Sequence, residues 1–339
     1  MLAEPHSTSY LIKCLKGGIT MTKKGIRGST LKIIAITAMF IDHTAWCLVD
    51  RMLLKAGVKI HNIYSPLSQI SVSPFLCVLS PLMHIVGRIT FPIMLFLLVE
   101  GAKHTHNKIK YLRNMLIFAL ISEIPFNLAF SGRLYAPAGY FSFLEGQNVY
   151  VTLALALGAI FCAQFFFSKE SFTESERVLS FVGIVFFSVC ASFFCVEHLY
   201  KFFGQKPNEI LKYILSALTF IALTLVLRNK EAVLRRKIGL TLLVTTLFSL
   251  VSYLLSSDYS FMGVTAAVIM WVSRENKTVS ALSGGAYLTL NTLSEAGAFL
   301  AVPLIGAYNG QRGRKMKYFF YIFYPAHLLA LWLIRILVL

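Results

Sequence analysis

Charge is scarce in this sequence, and negative charge is scarcest. Of 339 residues only 14% are charged, with 15 Asp and Glu against 32 Lys and Arg, while 57% are hydrophobic. The mean hydropathy is +0.69. No soluble globule has enough interior for that much apolar surface, so a chain threaded repeatedly through a bilayer is expected. Period-two alternation is missing too, which argues against an outer-membrane barrel. The six cysteines (Cys14, Cys47, Cys77, Cys162, Cys190, Cys195) lie mostly in apolar stretches and form no CxxC pair. Neither a zinc site nor a disulfide framework is indicated, and no metal is expected. Repeats and low-complexity tracts are absent, and residues 1–20 lack the clean apolar core of a signal peptide. They read as a dispensable extension with Met21 as an alternative start, so residues 1–28 are expected to form a cytosolic segment and 29–339 the membrane domain.

What is present is a net charge of +17, carried by short loops between apolar runs. Topology accounts for it before nucleic acid does, because Lys and Arg concentrate in cytosolic loops. Basic residues before Leu31 place the N-terminus in the cytosol, and RNKEAVLRRK at 228–237 marks the same side again. The runs predict an all-α polytopic transmembrane bundle of about 9–10 spans. The first covers about Leu31–Val49, the second about Met83–Ala102, the third about Tyr111–Phe130 and the fourth runs from Gln147 to about Phe167. Nearly uncharged scaffold spans follow, then a short one from Tyr259 to Val272, and a last one from Tyr318 to Leu339. Residues 51–80, with Pro66, Pro74 and Pro81, read as a broken interfacial or re-entrant loop, and 131–147 as a polar outer loop. Residues 280–306, interrupted by Gly284, Gly285, Gly297 and Pro303, read as one broken span or a hairpin. The charge rule favours the hairpin, which keeps the basic loop 308–317 cytosolic.

The first span carries the anomaly that the rest must explain. Asp42 and His43 stand well inside it, and a buried acid there costs roughly 2.5–3.5 kcal/mol, the mark of a functional position. Lys32 precedes His43 by eleven residues, about three turns, so both share a face roughly 16 Å apart. Helix packing for the pair and an interfacial anchor for Lys32 stand beside that reading. Further ionisable groups follow at one-turn spacing: His84 with Arg88, Glu100 with His104, Glu123 with Asn127, and Tyr324 with His327.

Several phrases in order resemble the TraX family of membrane proteins: IDH at 41–43, GRITFPIMLFLLVEGAKHT at 87–105, ISEIPFNLAF at 121–130, QNV at 147–149 and YNGQRGRKMKYFFYIFYPAHLL at 308–329. The resemblance covers roughly residues 29–335. It implies a bacterial inner-membrane protein with a cytosolic N-terminus, similar to a member that acetylates the N-terminus of conjugative pilin. It also implies kinship with membrane acyltransferases that take acetyl-CoA from the cytosol and use an intramembrane histidine. One branch of those carries Arg-x10-His on its first span; here Lys32 stands where Arg is usual, keeping the charge and losing the bidentate fork. On this reading His43 is the general base, or forms an acyl intermediate that sequence does not separate from direct attack, with Asp42 or Glu123 orienting it, or Asp42 pairing instead with Arg88, and with His327 and Tyr324 lining the tunnel or steadying charge. The expected donor and acceptor contacts are Lys32, Arg88, Glu100, His104, Asn148, Asn309, Gly310, Arg312, Gly313 and Tyr324. Lys108, Lys110, Arg314 and Lys315 add cations that suit CoA phosphates or serve topology alone. The expected partners are the bilayer and an acyl acceptor, whether a protein N-terminus, glycan, peptide or lipid, and no nucleic acid. A proton-coupled transporter, with the broken segment as its substrate site, and a structural assembly role are the competing readings.

Overall fold

A computed structural model describes residues 25–60, 63–130, 146–202, 209–291 and 293–339. Most of the expected extension, with Cys14, and residues 131–145 of the expected outer loop lie outside the described residues. Among those described, the chain is helical, and its only β pairings are isolated bridges of Ile26 with Tyr308 and Gln147 with Ser257. An apolar layer of about 30 Å takes some 20 helical residues and leaves no backbone group without a partner. Among the described residues eight helices meet that length and composition, from Gly28–Lys55 at the start to Tyr318–Val338 at the end.

The first long helix consists of α1 (Gly28–Thr44), a π-helical turn (Ala45–Val49) and α2 (Asp50–Lys55). The second joins α3 (Pro74–Gly87) to α4 (Thr90–His104). The expected loop at 51–80 is therefore much shorter: its two ends belong to helices, and a 3-10 turn at Ser65–Gln69 lies between. The prolines misled because Pro74 starts a helix, where a missing N–H is harmless, and Pro81 is accommodated inside one.

Next come α5 (Lys108–Phe130), α6 (Val149–Ser168), α7 (Glu174–Phe202), α8 (Glu209–Arg228) and α9 (Ala232–Leu254). The orphan carbonyls that end α5 are taken up by arginines from other helices. Arg51 donates to Phe130 at 2.7 Å, and Arg335 donates to Ala129 and Leu128 at 2.7 and 2.8 Å. The short α10 (Ser260–Val272) follows as expected, then α11 (Lys277–Asn291), a 3-10 stretch (Leu293–Leu300), α12 (Ala301–Gly306) and α13 (Lys317–Val338).

Residues 277–306 form a hairpin, not a crossing: the Lys277 ammonium at its start donates to the Tyr308 carbonyl just past its end. Tyr308 in turn sits beside the N-terminal segment, since Ile26 N–H donates to the Ala307 carbonyl at 2.8 Å and Asn309 N–H to Ile26 at 2.9 Å. The basic loop after Tyr308 thus lies on the same side of the bundle as residue 26.

The core runs between α4, α6, α10 and α11, where Leu95, Leu157, Ile160, Met270 and Leu288 are fully buried. Ala156, Ala159, Ala163, Ala266 and Ala267 are fully buried as well. Lipid tails are as apolar as leucine, so helices associate in a membrane through such small residues, which let backbones approach.

Candidate functional site

α1, α4, α5, α6 and α13 surround one long cavity of about 1140 Å³. One end is lined by Lys32, Glu100, His104, Lys110 and Arg312, and the other by Asp42, His43, Arg88, Asp258, Tyr259 and Glu295. Lys32 and His43 both line it, as three turns of one helix require. At the first end the loop after α12 seats on the start of α1: Gly28 and Ser29 N–H groups donate to the Gln311 and Arg312 carbonyls at 2.8 and 3.0 Å. Two of the helix's orphan donors are satisfied, and Arg312 is held beside Lys32 at the mouth. Lys32 lies over the Phe320 ring at 5.2 Å. His104 is 69% exposed and 3.7 Å from Glu100. Gly310 also lines the cavity, at φ +78°, with nothing within 4 Å of where a Cβ would stand. Asn309 and Gly313 are not in the wall: Asn309 ties the loop to Gly25, and Gly313 packs on Ser29. Of the loop cations, Lys110 and Arg312 reach the cavity, while Lys108, Arg314 and Lys315 do not line it.

At the inner end, hydrogen-bond logic sets the tautomer of His43. His327 Nδ1 lies 2.7 Å from the Phe323 carbonyl, which can only accept, so that nitrogen carries the hydrogen. The neutral ring then presents Nε2 as an acceptor, and His43 Nδ1, 2.7 Å away, must donate to it. His43 Nε2 is left unprotonated, without a hydrogen-bond partner among the described residues, on a ring that lines the cavity. The two imidazoles lie side by side in nearly one plane, with centroids 5.0 Å apart and planes 5° from parallel, and the Phe130 ring meets His43 edge-on at 5.3 Å. His327 is thus the group that orients His43, and neither expected carboxylate does so.

Asp42 is held from α3, not by Arg88. His84 Nδ1 lies 2.8 Å from Asp42 Oδ1, and its Nε2 lies 3.1 Å from Asp50 Oδ2, while Asp50 Oδ1 accepts from the Ser80 hydroxyl at 2.6 Å. A ring between two carboxylates is best matched with hydrogens on both nitrogens. The π turn makes this bridge possible. In an unbroken α-helix, residues eight apart stand ~80° apart around the axis, and one extra residue brings them within ~20°. Arg88 turns instead to the hairpin: its Nε is 3.1 Å from Glu295 Oε1, and its Nη1 is 3.5 Å from the Tyr259 hydroxyl.

Glu123 serves a different network. Its Oε2 accepts from Asn148 Nδ2 at 2.6 Å and from Asn148 N–H at 3.3 Å, and its Oε1 accepts from Asn127 at 3.1 Å. Asn148 is the N-cap of α6, its side chain accepting from Tyr150 N–H at 3.0 Å. Neither residue lines the cavity; both fix where α6 begins, and Tyr150 in its first turn does line it. Tyr324 forms part of the wall, 6.1 Å from His43 and 5.0 Å from Tyr150 between ring centroids.

The TraX protein family matches residues 27–166 and 184–335, most of the chain. The chain belongs to the TraX family. Among curated proteins it resembles the probable fimbrial assembly protein FimC, serogroup H1, of Dichelobacter nodosus, at 34% identity over 130 residues. That match takes in 38% of this chain and 43% of the relative, so it spans less than half of the relative's length. No solved structure matches.

In this TraX-family chain, sequence reasoning passed over Asp50, Ser80, Asp258, Tyr259 and Glu295 as site residues. Asp50 and Glu295 did leave a signal, an acid within or beside an apolar run. Tyr259 left none, because an aromatic at the start of a span is ordinary.

Proposed function

We propose that this chain is an integral membrane acetyltransferase of the bacterial inner membrane. It takes acetyl-CoA at the basic, cytosolic mouth of the cavity and acylates an amine or hydroxyl acceptor, such as a pilin-like N-terminus or another cell-envelope molecule. The observation that carries the reading is one cavity with cations at one end and, at the other, an imidazole whose basic nitrogen is unpartnered. Lys32, Lys110 and Arg312 suit the phosphates of CoA, and Gly310 leaves room for close approach. A volume of about 1140 Å³ suits a long donor reaching from mouth to base. Membership of the TraX family and likeness to a fimbrial assembly protein support a pilus-related acceptor.

In the transfer, His43 Nε2 takes the proton of the attacking amine or hydroxyl as that atom bonds to the acyl carbon. The C–S bond then breaks, and His43 returns the proton to the leaving sulfur. His327 holds the ring so that Nε2 faces the reaction, and its link to the Phe323 carbonyl prevents the tautomer from reversing. Acetyl-CoA binding and turnover by purified protein in nanodiscs, with His43→Ala alongside, tests the reading. Binding by both proteins with turnover only in the wild type is the expected result. No binding by either would sink acyl transfer from CoA and return the protein to transport.

A further inference from the structure

Opposite His43, the inner end of the cavity holds a second polar pole that the proton chemistry does not use. Arg88 is 13% exposed there and ion-paired with Glu295, yet its Nε makes no hydrogen bond, and the buried Glu295 Oε2 has none among the described residues. A guanidinium carries five donors, so this one has donors to spare. Arg88 is also seated close to the base. Gly87 packs so tightly on Asp42 that a Cβ would strike its carboxylate, and Asp42 adjoins His43 in the chain.

Tyr259 is brought to the same place by a turn that is held under strain. Ser256, Tyr259 and Ser260 have φ of 50°, 59° and 42°, a left-handed region that costs a non-glycine residue of order 1 kcal/mol. Several bonds hold the turn: Gln147 N–H to the Ser256 carbonyl at 3.2 Å, Asp258 N–H to the Gln147 carbonyl at 2.8 Å, and the Thr152 hydroxyl to Ser257 at 2.9 Å. The Tyr259 ring stacks on Phe91, with centroids 3.6 Å apart and planes 8° from parallel, and its hydroxyl faces Arg88.

We infer that Arg88 and Tyr259 are catalytic donors that receive the carbonyl oxygen of the acyl group, a thioester under the proposed function on which this inference rests. As the acceptor atom bonds to the carbonyl carbon, negative charge develops on the oxygen. It is discharged when the C–S bond breaks and the proton passes through His43 to sulfur. Fixed donors aimed at that oxygen in a dry site stabilise it far more than water would. Glu295 holds the guanidinium in place and balances its charge between turnovers.

The test is steady-state hydrolysis of acetyl-CoA, with water as the acceptor, by wild type, Tyr259→Phe and Arg88→Lys in nanodiscs, with acetyl-CoA binding measured on each. Tyr259→Phe keeps the stack on Phe91 and lacks only the hydroxyl. Its kcat is expected to fall about 10²-fold, the effect of losing one oxyanion donor, with KM and binding within about two-fold of wild type. Arg88→Lys keeps the charge and loses the fork, and a similar fall in kcat is expected. Should Tyr259→Phe fold poorly, Arg88→Lys decides alone. Wild-type kcat in the folded variants, or a change in KM alone, would overturn the donor role while acyl transfer stands. A wild type that binds no acetyl-CoA would overturn both.

Discussion

α7, α8 and α9 are helices as apolar as those around the cavity, yet none of the three contributes a residue to its wall. The two regions differ in how their polar groups are satisfied. In α7–α9 the hydroxyls bond mainly within their own helix, although Ser192 also reaches Thr219 of α8 at 3.2 Å and Ser249 reaches Thr265 of α10 at 3.0 Å. Ser188, Ser192, Ser216 and Thr245 each donate to the carbonyl four residues back at 2.7–2.8 Å. The main ion cluster joining α7 to α8, Lys212 with Glu197 and Glu209, sits at their joined ends. Around the cavity the polar groups need another helix: His43 needs α13, Asp42 and Asp50 need α3, Arg88 needs the hairpin, and Glu123 needs α6. Polar groups that close on their own helix add little to the fold's specificity. Those that close between helices set the geometry of a site.

Removing the base should break the comparison most visibly. His43→Ala is expected to lower acetyl transfer by 10²–10⁴-fold, the contribution of a positioned general base, while acetyl-CoA binding persists. Radiolabelled acetyl-CoA turnover and a binding isotherm on the same preparation check it. Turnover within ten-fold of wild type would mean that His43 is packing.

The next effect falls on stability. His84→Ala leaves Asp42 and Asp50 without their shared partner, and unpairing buried charge costs about 3–5 kcal/mol. Chemical denaturation of the detergent-solubilised protein should show a loss of that size. A loss near 1 kcal/mol would mean that the two carboxylates find other donors.

At the mouth the effect should be smaller and confined to binding. Lys32→Ala is expected to raise KM for acetyl-CoA about ten-fold, roughly 1.4 kcal/mol, with kcat unchanged and a weaker dependence on salt. Lys32→Arg should restore binding, because the fork suits phosphate. An unchanged KM in Lys32→Ala would return Lys32 to the role of interfacial anchor over Phe320.

Most of the helices were legible because apolar length is a local property. The broken region at 51–80 was misjudged because proline was read as a breaker wherever it fell, whereas at Pro74 it opens a helix and at Pro81 it is carried inside one. Asp42, His43 and Lys32 stood out as ionisable residues in an apolar run at a helical spacing. Their partners did not: His43 meets His327 across 284 residues and Asp50 meets His84 across 34. One helix's periodicity says nothing about which face of another it will meet. The expectation that Asp42 pairs with Arg88 rested on residue type alone. The π turn, which swings Asp50 onto the Asp42 face, has no signal in composition.

The smallest effect expected is the sharpest test of the comparison itself. Ser188→Ala in α7 removes a hydroxyl that is 1% exposed, as buried as His84, and bonded at 2.8 Å to Ile184 of its own helix. If burial alone decided the consequence, the two substitutions would be similar in size. Ile184's carbonyl keeps the backbone bond of the helix when the hydroxyl goes, and alanine is the better helix former. The loss of stability should therefore stay within about 0.5 kcal/mol, with acetyl-CoA turnover unchanged. A loss approaching that of His84→Ala would show that a hydroxyl closed on its own helix can matter as much as a polar group closed between helices, and the division of the bundle into a scaffold limb and a cavity half would fail.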